Sequence, residues 1–149
     1  MAPRERDPLL ERLALLNVAL LTTAPASVPV PPLAACIEKG VTLFGGNDGI
    51  RDTWNPFGSP DMLERAAQIA MRYDLRRDDA IAMAFDCVSD RAARGCGFAD
   101  YGLHVGARAD LVLVDAETIA HAVAARPVRR LVVANGRIVA RDGALIDAL

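Results

Sequence analysis

Residues 40–66 read GVTLFGGNDGIRDTWNPFGSPDMLERA, and the order of residue types in this stretch decides the fold class. Val41-Thr42-Leu43-Phe44 is short, apolar and partly β-branched, which predicts a strand over 41–44. It leads directly into Gly45-Gly46-Asn47-Asp48-Gly49. Residues 46–58 then carry a turn-forming residue at nearly every other place, together with the one Trp of the chain, Trp54. Ser59 is the expected N-cap and Pro60 the first turn of a helix whose apolar stripe is Met62, Ala66, Ile69 and Tyr73. Strand, polar loop and helix in this order form a βα unit. In α/β folds the loops beyond the C-terminal ends of parallel strands build the sites, so 46–58 is the expected functional loop.

Toward the N-terminus the same alternation repeats. Asp7-Pro8 opens a helix over 8–16 with Leu9, Leu10, Leu13 and Leu16 on one face, and Val18-Ala-Leu-Leu-Thr-Thr predicts a buried parallel strand. Pro25, Pro29, Pro31 and Pro32 exclude a sheet interior and make 24–32 an extended loop. A helix opened by Pro31 and Pro32 ends at Gly40. Toward the C-terminus, one helix begins near Asp78 and carries Ile81, Met83, Ala84, Phe85 and Val88. A short one runs from Ser89 to Arg94 and stops at Gly95. Beyond Gly97 the period changes: 111–114, 130–133 and 137–140 are β-rich, with Asn135-Gly136 as a two-residue hairpin turn. The expected division is an α/β segment, 1–98, and a β segment, 99–149.

The 149 residues suffice for one domain with a sizeable core. A net charge of −2 gives no basic field for nucleic acid or an anionic membrane surface. The longest apolar stretch, Leu13 to Leu21, is interrupted by Asn17 and falls short of the ~20 residues of a membrane span. The first twelve residues mix charge signs and have no signal-peptide core, and Cys36, Cys87 and Cys96 lack metal-type spacing. The expectation is a cytoplasmic chain with reduced thiols that serve as small packing residues. With only His104 and His121, an imidazole-rich metal centre cannot be assembled from this chain alone. His104 sits between Gly102 and Gly106 as a surface turn residue, and His121 faces solvent on a helical stretch.

Two further stretches carry a family resemblance. DYGLHVGARADLVLVDA (100–116) and VRRLVVANGRIVARDG (128–143) resemble the closing segment of the metal-dependent amidohydrolase superfamily. The 40–66 stretch is similar to its cytosine deaminase branch, where the eighth barrel strand ends in an aspartate followed by a loop of the form xxxDxWxPxG. The resemblance implies an α/β fold: a C-terminal fragment of a TIM-type (β/α)8 barrel, its last two βα units, with part of a small β-sandwich.

It further implies that Asp48 is both a metal ligand and the catalytic carboxylate that accepts a proton from the attacking water, and that Trp54 walls the substrate pocket against a flat ring. Read from the residues alone, Asp48 in Asn-Asp-Gly is also a common turn aspartate, Trp54 a packing residue, and Asp52 a brace for the loop. Where the branch often has a second acid after the metal aspartate, this sequence has Gly49. That favours a cyclic amine or amide other than cytosine.

The implied cofactor is divalent zinc or iron. The family's other ligands, its His-x-His pair among them, have no counterpart here, so the isolated chain is expected to bind no metal and to be inactive. The implied activity is hydrolysis of a cyclic C–N bond, with a small cyclic amine or amide as substrate. The alternatives are a noncatalytic truncated relic, a subunit completing a barrel with a separate N-terminal chain, and a small-molecule-binding remnant. Unpaired strand edges and bared stripes (Leu9, Leu13, Leu16; Met62, Ile69, Tyr73) predict an oligomer or a partner-bound chain.

Overall fold

The computed structural model describes residues 2–53 and 56–146. Helix α1 spans Pro3–Leu15, starting five residues before the expected position. Pro3 stands at the helix start, where its missing N–H costs nothing, and the Glu5 carboxylate accepts the Ala2 N–H at 3.4 Å. Pro8 is therefore an early interior residue rather than the start. Asn17 takes a left-handed φ of 51° and Val18 N–H donates to the Leu13 carbonyl at 2.9 Å, turning the chain into β1, Leu20–Thr22. Helix α2, Leu33–Glu38, comes after the proline loop and buries Leu33, Ala35 and Cys36. Strand β2, Leu43–Gly45, pairs parallel with β1, Leu21 opposite Phe44.

Helix α3, Met62–Arg72, is capped by Asp61, whose carboxylate accepts the N–H groups of Leu63 (2.8 Å) and Glu64 (3.3 Å). Ser59 is not the cap. Its hydroxyl instead accepts the Asp61 N–H at 3.1 Å and forms the turn that delivers the cap. Helix α4, Asp78–Asp86, begins as expected with two acids at the positive end of its dipole. Helix α5, Asp90–Cys96, does not stop at Gly95. A Cβ there would lie 2.5 Å from Phe44 Cδ1, so Gly95 serves close packing on β2, and Gly97, at φ 73°, ends the helix.

Leu10, Leu33, Cys36, Val41, Leu43, Ile69, Ala84 and Cys87 pack together between these helices and the two-stranded sheet. Ile69 is 1% exposed, so the stripe expected to be bared on α3 is in fact core, with Met62 and Tyr73 half-buried beside it. On α1 the expectation holds in part: Leu9 and Leu16 are exposed, as is Leu21 on β1, whose outer edge has no partner strand among the described residues, whereas Leu13 is half-buried against the core.

The C-terminal residues form one antiparallel sheet, β3 (Leu111–Val114), β4 (Arg129–Ala134), β5 (Arg137–Arg141) and β6 (Ala144–Leu145), in that order. Asn135 (φ 49°) and Gly136 (φ 75°) make the expected hairpin turn. No second sheet covers it among the described residues, and Leu111, Val112 and Leu113 are exposed. Helix α6, Ile119–Ala125, packs Ala122 and Val123 against Leu63, Ala66 and Ala67 of α3, so the two segments share a small core. Arg129 of β4 also pairs with the Asp61 carboxylate. No helix is long and apolar enough to cross a membrane among the described residues.

Candidate active site

The parallel strands β1 and β2 end side by side, and crowding dictates the residues at the end of β2. A Cβ on Gly45 would meet Ile69 Cδ1 at 2.7 Å, and one on Gly46 would meet Leu21 Cδ1 at 2.9 Å, so a larger residue at either place would have to displace a packed side-chain end. Asp48 comes next in the left-handed region at φ 58°, an uncommon conformation that aspartate tolerates better than most residues. The loop then folds on itself. A Cβ on Gly49 would overlap the Asp52 carboxylate, with Cγ 2.8 Å away, and Gly58, at φ 120°, lies against the Gly49 carbonyl. Arg51 N–H donates to the Phe57 carbonyl at 3.3 Å. The Asp52 carboxylate thus lies against the Gly49 backbone inside the loop.

An open cavity of about 1030 Å³ lies beside these strand ends, with Thr23, Asn47, Asp48, Asp52, Arg65 and Arg72 among its lining. A second, of about 530 Å³, lies between β1 and the proline loop, and Asp48 borders both. Asp48 is itself exposed. Trp54 lies outside the described residues. His104 is exposed in its turn, and His121 is exposed on α6 with its ring Nδ1 accepting the Glu117 N–H at 3.3 Å. Neither joins Asp48. Among the described residues no group of three or more His, Cys, Asp or Glu is placed to hold a metal ion.

Helix α3 supplies side chains that organise this end of the molecule. Arg65, only 6% exposed, donates Nε–H to Asn47 Oδ1 at 3.0 Å and Nη1–H to the Thr23 carbonyl. Burial lowers its pKa from the ordinary arginine value. Arg72 donates to the carbonyls of Pro25 (3.0 Å) and Val28 (3.1 Å), and Tyr73 Oη to that of Pro31 (2.6 Å). The Tyr73 hydroxyl is pushed up to about 12, mainly by burial and also by the nearby Cys36 and Cys87 thiols. A proline-rich loop lacks the backbone N–H groups that would pair its own carbonyls, so donors must reach them from elsewhere. The prolines signalled that need in the sequence, but not which side chains meet it. Of the cysteines, Cys36 and Cys87 are buried packing residues as expected, while Cys96 is exposed at the end of α5.

A family profile described as "Amidohydrolase family" matches residues 1–140. An N-isopropylammelide isopropyl amidohydrolase from Pseudomonas sp. (strain ADP) is 30% identical over 131 residues, covering 87% of this chain and 32% of that protein. The crystal structure of N-isopropylammelide isopropylaminohydrolase from Burkholderia multivorans is 68% identical with a TM-score of 0.96, over 98% of this chain and 37% of that one.

Two more distant structures share the fold alone. One is the 5-methylcytosine deaminase from Klebsiella pneumoniae liganded with 5-fluorocytosine (21% identical, TM-score 0.82, 99% of this chain and 39% of that one). The other is the atrazine chlorohydrolase from Arthrobacter aurescens complexed with zinc (18% identical, TM-score 0.74, 99% and 36%). The chain spans about a third of the length of the relatives it matches. With a match over nearly every residue, and two strand ends meeting at Asp48, the chain belongs to the metal-dependent amidohydrolase superfamily.

Proposed function

We propose that residues 1–98 are the last two βα units of an amidohydrolase barrel and 99–149 its C-terminal β segment, and that they serve hydrolysis of an exocyclic C–N bond on a nitrogen heterocycle. The observation that carries this reading is the 68% identity, over 98% of the chain, to an N-isopropylammelide isopropylaminohydrolase. The substrate class is an N-alkylamino ring amide of that kind. Gly49, where a second acid is frequent in the cytosine branch, agrees with this choice.

In this reading Asp48 contributes one carboxylate to a divalent cation and takes a proton from the attacking water. A bound cation of this type supplies Lewis acidity and lowers the pKa of water. The residues of this chain do not by themselves fit such an ion: hydrolytic zinc sites use about three protein ligands, and Asp48 is one. The remaining ligands must come from outside these residues, and the isolated chain is inactive. Trp54 walls the pocket against the ring face.

A noncatalytic subunit is the second reading, favoured by the exposed leucines of α1 beside the unpaired edge of β1, a surface suited to a complementing N-terminal polypeptide. We place the protein in the cytoplasm, in keeping with its three free cysteines. The test is amine release from N-isopropylammelide by this chain combined with a polypeptide carrying the first six βα units of a homologous barrel. Release that depends on both polypeptides supports the enzyme reading. A stable, metal-loaded but inactive assembly supports the second.

A further inference from the structure

Arg65 is a buried cation with no carboxylate paired to it among the described residues, an arrangement that is costly unless neutral acceptors receive its N–H groups. Both acceptors it has found lie at strand ends: the Thr23 carbonyl just after β1 and the Asn47 side chain just after β2. Asn47 immediately precedes Asp48, which is held at φ 58°. The two strand ends otherwise meet through the Gly46 N–H, which donates to the Thr22 carbonyl at 3.1 Å. An arginine fork bridges two acceptors at fixed spacing, whereas a lysine ammonium is a flexible point charge.

We propose that Arg65 is a positioning residue: it clamps the ends of β1 and β2 together and so holds Asp48 in the orientation its ligand role requires. The role rests on Asp48 being the metal aspartate. The clamp itself does not, and it can be tested without metal or substrate.

The experiment is hydrogen exchange of the full chain, read by mass spectrometry on peptides covering 18–26 and 42–50, for wild type, Arg65→Lys, Arg65→Met and Asn47→Ala. Arg65→Met is expected to speed exchange in both peptides by roughly tenfold or more, with peptides from α1 and α4 unchanged. Arg65→Lys, able to reach one acceptor, should restore part of the protection. Asn47→Ala should loosen 42–50, and should add nothing in the Arg65→Met background. In the reconstituted barrel, Arg65→Lys should lower kcat with KM little changed. Unchanged exchange in Arg65→Met, uniform loosening of the whole chain, or additivity of the two substitutions would overturn the clamp. If the clamp behaves as expected but the reconstituted barrel neither binds metal nor turns over, the ligand role of Asp48 fails and the clamp stands.

Discussion

Replacing Gly49 by Asp would install the second acid that the cytosine branch often carries, and the loop geometry sets what this costs. A Cβ at position 49 would sit 2.8 Å from Asp52 Cγ and overlap its carboxylate, so Asp52 must swing away. Giving up the interaction that Asp52 makes costs about 1 kcal/mol. Two carboxylates held about 4 Å apart at the surface repel by a further ~1 kcal/mol. The sum, about 2 kcal/mol, should lower Tm by roughly 4–8 °C for a chain of this size. Asp52→Ala alone should cost about 1 kcal/mol, yet Gly49→Asp in that background should cost far less than in the wild type, because the collision and the repulsion are both gone. Urea unfolding of the four proteins at low concentration measures the cycle. A Gly49→Asp chain as stable as wild type, or additive single costs, would refute the mutual dependence of Gly49 and Asp52.

In a reconstituted barrel, Asp48→Asn should abolish turnover with the fold intact, since an amide keeps the shape but neither carries the charge nor accepts the proton, and Trp54→Ala should raise KM more than it lowers kcat. A thiol reagent at pH 8 should modify one of the three cysteines quickly, exposed Cys96. Burial raises the Cys36 thiol and pushes Cys87 up to about 11, so both should react only on unfolding, and three fast thiols would contradict the packing described. With Leu15 87%, Leu16 64% and Leu21 55% exposed beside an unpaired strand edge, sedimentation at micromolar concentration should show self-association, relieved by a complementing barrel polypeptide. A monomer that binds no apolar dye would refute that.

The parallel pair, its order with the helices and the Asn135-Gly136 hairpin were legible because each depends on local signals: short apolar runs, prolines and glycines with positive φ. Element ends were less so. Ser59 and Asp61 are both good capping residues; it is Asp61 that caps α3, and its carboxylate also pairs with Arg129, 68 residues away, a tertiary contact that no local pattern announces. Gly95 looked like a helix stop because its contact with Phe44 is tertiary. Within the site, Asp48 could be found only through the family resemblance of 40–66, since Asn-Asp-Gly by itself also reads as a turn. Arg65 could not: an arginine on a helix ordinarily reads as solvent-facing, and only the meeting of two strand ends beneath α3 explains its burial.

The most direct test of Asp48 as one ligand of a shared metal site is zinc stoichiometry, by elemental analysis after exhaustive dialysis. It compares this chain alone, its complex with a polypeptide carrying the first six βα units, and the same complex bearing Asp48→Asn. The expected result is no zinc retained by the chain alone, one equivalent in the wild-type complex and a large loss in the variant complex. Full zinc occupancy in the Asp48→Asn complex, or a stoichiometric ion held by the 149 residues alone, would contradict it.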